Sequence, residues 1–309
     1  MFNDPNFFWK NFRLGTELQI SGIFIYNALN TFDQLEHFYY EEQIFEFLYN
    51  IAVGIERLEK ITIILLEHTT GVNQVDFEKT LITHNHLELL KRIRQKKDLK
   101  LGKPYYKFLQ LIGDFYHSIR YSRFNLSSVY EPDQSQARLV GFLESELKIS
   151  IGAEFMNVTE NDQRIKNFIG KLISKLSLQL YEIIRETSYQ LRLATYEIPY
   201  GSKAFKIFIA KEYSFENERL LQKELLVYLL NSQTNDGFQA HIKAIKPLPF
   251  GNRSTNYYVL YLLNFTKHMD VLDELQYIRE ENQLDKERLH EVSLIGEDVN
   301  FDEEENIWE

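Results

Sequence analysis

The stretch that decides the fold runs from Glu41 to Glu67 and reads EEQIFEFLYNIAVGIERLEKITIILLE. Its apolar residues recur at alternating steps of four and three, the spacing that places side chains on one face of an α-helix. We therefore expect a long amphipathic helix. Gly54 lies inside it, where glycine is intrinsically unfavourable, and so predicts close packing against a neighbouring helix. The apolar seam consists of Ile44, Leu48, Ile51, Ile55, Leu58, Thr62 and Leu65.

Apolar seams of the same kind predict helices along most of the chain. In the N-terminal half they cover Leu14–Leu35, Phe77–Arg94, Pro104–Phe124 and Gln134–Lys148. In the second half they cover Ile165–Leu191, Asn217–Leu230 and His268–Val292.

Strands are expected only as short segments of the second half. Polarity alternates over Lys203–Ala210, which predicts a short strand, and Phe238–Pro249 fits a strand or a loop. The predicted fold class is predominantly α: a helical bundle followed by a second, mostly helical part with at most a few short strands. The expected domains are residues 1–150, the bundle, residues 151–296, the second helical region, and residues 297–309, an acidic tail.

The composition bounds the class of protein. The chain has 309 residues, 44% of them hydrophobic, which is enough for one large core or two smaller ones. It has no cysteine, which excludes disulfides, thiol nucleophiles and cysteine-ligated metals. It also lacks the glycine-rich phosphate loops and the hydrolase and zinc-protease motifs of common enzymes. With no secretory leader and no apolar stretch of membrane length, we expect a cytoplasmic protein with no membrane contact.

Charge is unevenly distributed along the chain. The net charge is −10, and the stretch from Glu297 to Glu309 holds seven acidic residues and no basic one. Such acidity argues against indiscriminate nucleic-acid binding but leaves room for a local basic site. Seven basic residues fall between Lys91 and Lys103, with Lys96 and Lys97 at the centre. This run fits a phosphate-contacting segment, a solvated loop, or a partner for the acidic tail.

Four pieces of the N-terminal half stand in an order that resembles the HEPN domain. They are Gly54–Lys60 (GIERLEK), His86–Leu90 (HLELL), the helix Tyr105–Ile119, and Arg120–Asn125 (RYSRFN). The resemblance covers roughly residues 15–150. It implies a bundle of four or five helices and a role in prokaryotic toxin–antitoxin, abortive-infection or antiviral systems. Active members of the family are metal-independent ribonucleases whose motif is an arginine followed a few residues later by a histidine.

The family motif is incomplete in this chain. Asn125 occupies the position where the histidine is expected after Arg120, and asparagine can hydrogen-bond a phosphate or a base but cannot shuttle protons. His117 lies three residues before Arg120, on the same face of a regular helix, and is the candidate replacement. The resemblance thus implies Arg120 and His117 as catalytic residues. It implies Arg123, Asn125, Lys96 and Lys97 as RNA contacts, with no metal and no cofactor. Equally, Arg120, Arg123 and Asn125 fit a helix C-terminus stabilised by cations and capped by asparagine.

His84 and His86 are the remaining candidate ligands. On one helix, residues two apart diverge by about 200°, and no further ligand stands at a familiar spacing, so a metal site is not expected. The resemblance makes His86 a packing residue at the start of a helix. The Gly54–Lys60 segment is expected to support the bundle and to carry no chemistry of its own.

Three functions stay open from the sequence. The first is an RNA-linked HEPN-like protein with a degenerate ribonuclease site. The second is a non-catalytic helical scaffold or regulatory subunit, whose acidic tail docks on a protein partner. The third is a helical regulator that binds a nucleotide. A protein partner or a homodimer is expected, and RNA is a candidate ligand.

Overall fold

The computed structural model describes residues 4–69, 71–122, 124, 126, 133–154, 156–231, 237–251, 253–264, 269–281 and 286–297. In this part of the chain the fold is predominantly α, with one short two-stranded antiparallel sheet, which confirms the predicted fold class. The contacts divide the chain into two compact units, Met1–Glu216 and Asn217–Glu309, and each is described by itself. Among the described helices, none is long and apolar enough to cross a membrane.

The first unit holds most of the helices. It begins with α1 (Pro5–Phe8), a π-helical turn π1 (Trp9–Arg13), α2 (Leu14–Gln34), α3 (Glu41–Glu67), α4 (Gln74–Thr80) and α5 (His86–Arg94). It continues with α6 (Lys103–Asp114), a second π-helical turn π2 (Phe115–Ile119), α7 (Arg120–Ser122) and α8 (Gln134–Leu147). Strands β1 (Ala153–Glu154) and β2 (Asn157–Val158) pair antiparallel, and α9 (Gln163–Leu191) and α10 (Lys203–Phe208) complete it.

Helix α3 is the central element of this unit. Every residue of its predicted apolar seam is buried, and α2, α5, α6, α8 and α9 all pack around it. A Cβ atom added at Gly54 would lie only 2.8 Å from Cγ1 of Ile25 on α2. Ser21 of α2 also donates a hydrogen bond of 2.7 Å to the carbonyl of Gly54. The predicted close helix packing at Gly54 is confirmed.

Three predicted elements differ in the structure. The segment Phe238–Pro249, expected as a strand or a loop, is wrong over most of its first half, which lies in a helix, Gly237–Ala244. The helix expected over Phe77–Arg94 is interrupted, because Asn85 adopts an extended backbone and accepts hydrogen bonds from the first amides of α5. The predicted strand over Lys203–Ala210 is wrong: this segment forms α10. Its apolar residues also fit a helical face, on which Ala204, Ile207 and Phe208 are buried, and Ser202 caps the first turn.

The predicted domain boundary near residue 150 falls inside the first compact unit. Helix α9 lies after that boundary and packs on α3, which lies before it. Asn161, just before α9, donates hydrogen bonds of 2.7 Å to the carbonyl of Phe32 and 3.1 Å to that of Leu35. Residues on both sides of residue 150 therefore share one core.

The second unit contains five helices in its described residues. The first of them, α11, begins at Glu216, which is the last residue of the first unit. They are α11 (Glu216–Asn231), α12 (Gly237–Ala244), α13 (Thr255–Leu263), α14 (Met269–Glu281) and α15 (Lys286–Ser293). Tyr257 of α13 donates a hydrogen bond of 2.7 Å to Asp270 of α14, and Arg253 forms an ion pair with the same carboxylate. The acidic tail beyond Glu297 lies outside the described residues.

Candidate functional site

Two histidine–glutamate pairs join the start of α5 to α3. Nδ1 of His84 lies 2.8 Å from Oε2 of Glu56, and Nδ1 of His86 lies 2.7 Å from Oε2 of Glu59. The two glutamates are three residues apart and thus share a face of α3. The two histidines reach that face together because His84 precedes α5 rather than lying within it. Contrary to the sequence-based expectation, the Gly54–Lys60 segment therefore supplies ionisable partners to both histidines.

In the outer pair, His84 and Glu56, the histidine side chain is the one accessible to solvent. The side chain of His84 is 43% exposed, whereas that of Glu56 is 12% exposed. Lys60 donates a hydrogen bond of 2.6 Å to the second oxygen of Glu56. Burial alone would raise the pKa of Glu56, but the hydrogen bonds and charges of Lys60 and His84 lower it below its ordinary value. An ionised carboxylate can only accept, so Nδ1 of His84 donates in its hydrogen bond to Glu56.

The inner pair, His86 and Glu59, is completely buried. Within the described part of the chain, Oε1 of Glu59 and Nε2 of His86 have no hydrogen-bond partner. Burial raises the pKa of Glu59, an effect that His86 opposes and the neighbouring Glu56 reinforces. A buried carboxyl of this kind is stable only while the pair retains a proton. His86, the first residue of α5, is thus a buried packing residue, as the resemblance implied.

A cleft of about 420 Å³ opens on one side of His84. We call it the aromatic cleft, because Trp9 and Tyr116 face it together with the apolar side chains of α3. Glu17 and Arg57 form an ion pair on its wall, and Lys60 lies there beside His84.

A second cleft of about 360 Å³ also has His84 on its wall. We call it the polar cleft; the polar side chains on its wall are His84, Asn85, Gln110, Asp114, His117 and Ser118. The carboxylate of Asp114 is bound by Arg138 at 2.9 Å, which offsets its charge. His84 is therefore common to both clefts, and His117 faces the polar one.

The two π-helical turns supply aromatic and histidine side chains to these clefts. Trp9 begins π1, and Tyr116 and His117 lie in π2. A π turn winds more residues per turn than an α-helix, so it re-aims the side chains that follow; such turns recur at functional sites. In this chain, π2 directs Tyr116 to the aromatic cleft and His117 to the polar cleft.

Arg120 is bound by aromatic rings. Its guanidinium carbon lies 3.8 Å from the ring centroid of Tyr116 and 4.6 Å from that of Tyr121. The ring centroid of His84 lies 4.8 Å from that of Tyr116. Arg120 and His84 therefore both contact Tyr116. Among the described residues no hydrogen bond links His117 to Arg120: His117 faces the polar cleft, whereas Arg120 lies on the ring of Tyr116.

The remaining predicted contacts are dispersed. Lys97 pairs with Glu186 of α9 at 3.2 Å, and Lys96 is exposed on the surface. In the same basic run, Arg92 donates two hydrogen bonds to Glu67. Arg123 and Asn125 lie outside the described residues. Two residues of the run, Arg92 and Lys97, thus pair with acidic residues of other helices.

The comparisons with known proteins found no significant match. No family model matches the chain, and no curated protein or solved structure is significantly similar to it. In the described part of the chain, no cluster of three or more histidine, aspartate or glutamate side chains has the arrangement of a metal site. The site is therefore argued from its own geometry.

Sequence reasoning missed the central residue of this site. The sequence presents His84 only as a candidate metal ligand, and Glu56 and Lys60 only as part of the Gly54–Lys60 segment. One local signal was present: Glu56 and Lys60 stand four residues apart, as ion pairs on helices do. The pairing of Glu56 with His84 spans 28 residues and two elements, which no local pattern reveals.

Proposed function

We propose that this chain is a HEPN-like, RNA-acting protein of a prokaryotic toxin or antiphage defence system, with a metal-independent ribonuclease site centred on His84. One observation carries the catalytic part: Glu56 holds the ring of His84 in a position where it shares the polar cleft with a second histidine, His117. The biological setting rests on the sequence resemblance over residues 15–150.

Two histidines facing one cleft suit RNA cleavage through the 2′-hydroxyl. Nε2 of His84 takes the proton of the 2′-hydroxyl while the 2′-oxygen forms a bond to phosphorus. The bond from phosphorus to O5′ then breaks, and the leaving oxygen takes a proton from the imidazolium of His117. The products are a 2′,3′-cyclic phosphate and a 5′-hydroxyl end. His84 ends protonated and His117 neutral, and proton exchange with solvent restores both.

Positive charge close to His84 would stabilise the charge that builds on the phosphate. Lys60 lies on the cleft wall beside His84, and Arg120 lies on the ring of Tyr116 that His84 also contacts. Glu56 would serve as a positioning residue, since it bonds His84 and is nearly buried. In this arrangement His84 takes the place of the histidine that the family motif lacks at Asn125.

The test is cleavage of a labelled single-stranded RNA of mixed sequence in the presence of EDTA. We expect the full chain to cleave it, and His84→Ala and His117→Ala each to reduce the rate by about a hundredfold or more. His290→Ala, an exposed histidine of α15, is the matched control and should retain the full rate. No cleavage by the unaltered chain, or full activity of His84→Ala, would overturn the proposal.

A further inference from the structure

We infer that the aromatic cleft binds the nucleobase next to the cleaved phosphate and prefers guanine. The position of the phosphate at His84 rests on the function proposed above. The base-binding property rests on the aromatic cleft alone, so the two can fail separately.

The first support is the position of the cleft. His84 lines both clefts, so a nucleic-acid strand whose phosphate lies at His84 can place a neighbouring base in the aromatic cleft. The polar cleft offers mainly hydrogen-bonding side chains, whereas the aromatic cleft combines aromatic and apolar side chains with the ion pair of Glu17 and Arg57. Its volume of about 420 Å³ lies within the range of small-molecule sites.

The second support is the aromatic platform. Trp9 is only partly buried, and its ring is held edge-on against His68 at a centroid distance of 5.2 Å. Lys10, the next residue, is anchored by a hydrogen bond of 2.6 Å from Nζ to the carbonyl of His68. A tryptophan fixed in this way at the edge of a cleft is suited to stack on a base. Leu14, Ile61 and Leu81 complete the apolar wall.

The third support is the ion pair between Glu17 and Arg57 on the same wall. The side chains of Glu17 and Arg57 are 40% and 35% exposed, so both can still form hydrogen bonds with a ligand in the cleft. Guanine presents two adjacent N–H donors beside a carbonyl acceptor. A carboxylate accepts from the two donors while a guanidinium donates to the acceptor. Adenine, cytosine and uracil each lack part of this pattern.

The fluorescence of Trp9 can report directly on nucleotide binding in the aromatic cleft. The chain has two tryptophans, Trp9 and Trp308, so Trp308→Phe leaves Trp9 as the only one. We expect GMP to change the fluorescence of this variant saturably and to bind at least about tenfold more tightly than AMP, CMP or UMP. Glu17→Gln should abolish the preference for GMP. Glu42→Gln, at an exposed position of α3, should leave it unchanged.

The same titration separates the two proposals. His117→Ala should still bind GMP although its RNA cleavage is lost, because His117 faces the polar cleft and not the aromatic one. Selective GMP binding by a chain that never cleaves RNA would support the base site and overturn the ribonuclease proposal. No saturable change with any nucleotide at millimolar concentration would overturn the base site, as would equal affinity for all four. If Glu17→Gln fails to fold, Arg57→Lys replaces it, because it keeps the positive charge but removes the planar guanidinium. Unchanged GMP preference in that variant also overturns the base site.

Discussion

Nδ1 of His84 and Oε2 of Glu56 are 2.8 Å apart, although 28 residues separate them in the chain. The contact joins a partly exposed imidazole to a nearly buried carboxylate on the central helix. Such a carboxylate fixes the tautomer and orientation of the ring and stabilises the imidazolium that forms when the ring takes a proton.

Glu56→Gln should show whether the negative charge of Glu56, and not only its hydrogen bond to His84, supports catalysis. Glutamine has nearly the same shape but no charge, so the imidazolium of His84 loses its stabilising partner. We expect kcat for RNA cleavage to fall by about a hundredfold or more, with KM changed by less than about threefold. Steady-state kinetics on a short labelled RNA measures both constants. A rise in KM with unchanged kcat would show that Glu56 acts in binding rather than in catalysis.

Asn85→Ala should weaken both the fold and the site. The side chain of Asn85 accepts hydrogen bonds of 3.1 and 3.2 Å from the amides of Leu87 and Glu88, and the same cap sets the backbone that carries His84. We expect a loss of about 1 kcal/mol of unfolding free energy and a reduced cleavage rate.

Asn73→Ala is the matched control for that cap. Asn73 caps α4 through a hydrogen bond of 3.1 Å from the amide of Asp76. Its loss should cost a similar unfolding free energy, measured by urea denaturation, without changing the cleavage rate. Equal rates for the two variants would contradict the positioning role of Asn85.

The sequence predicted the elements that local patterns determine. The seam of α3 follows from its alternating spacing, and the close packing at Gly54 follows from the cost of a mid-helix glycine. The break before α5 was missed because the apolar periodicity of Phe77–Arg94 continues through it, whereas the capping bonds of Asn85 end it. Helix α10 was missed because six residues with alternating polarity also fit a short helical face.

The candidate site was less accessible to sequence reasoning. Local patterns describe neighbours within one element, whereas both histidine–glutamate pairs join α3 to the segment that begins α5. The π turn is a second obstacle. A regular helix would place His117 and Arg120 on one face, as the sequence predicted, but π2 turns His117 towards the polar cleft. Only the packed structure fixes these relationships.

Glu59→Gln should change how stability depends on pH. The pKa of Glu59 is raised by burial above its ordinary value of 4.5, so the folded chain binds this proton more tightly than the unfolded chain. The stabilising contribution is therefore complete below pH 4.5 and is lost as pH rises through the higher folded value. The slope is at most about 1.4 kcal/mol per pH unit, the limit for one proton. His86, Glu56 and Lys60 are the charged groups that face this carboxyl.

The measurement is urea unfolding of both chains at pH 5, 6.5 and 8. Glutamine cannot ionise, so Glu59→Gln should gain unfolding free energy relative to the unaltered chain as pH rises. Glu42→Gln, at an exposed position, should follow the unaltered chain. Parallel curves for all three chains would show that Glu59 does not carry the proton.

Gly54→Ala and Gly141→Ala should have opposite effects on stability. Alanine is better than glycine inside a helix by about 1 kcal/mol, and this gain applies at both positions. At Gly141, in the middle of α8, an added Cβ meets no atom within 4 Å, so the gain should appear in full.

At Gly54 the added Cβ would lie 2.8 Å from Cγ1 and 3.2 Å from the backbone nitrogen of Ile25. Because α2 must shift to relieve this contact, we expect a net loss of about 1–2 kcal/mol, in the range of overpacked cores. Urea unfolding of the two variants measures both values, and a stabilised Gly54→Ala would show that α2 and α3 are not in close contact there.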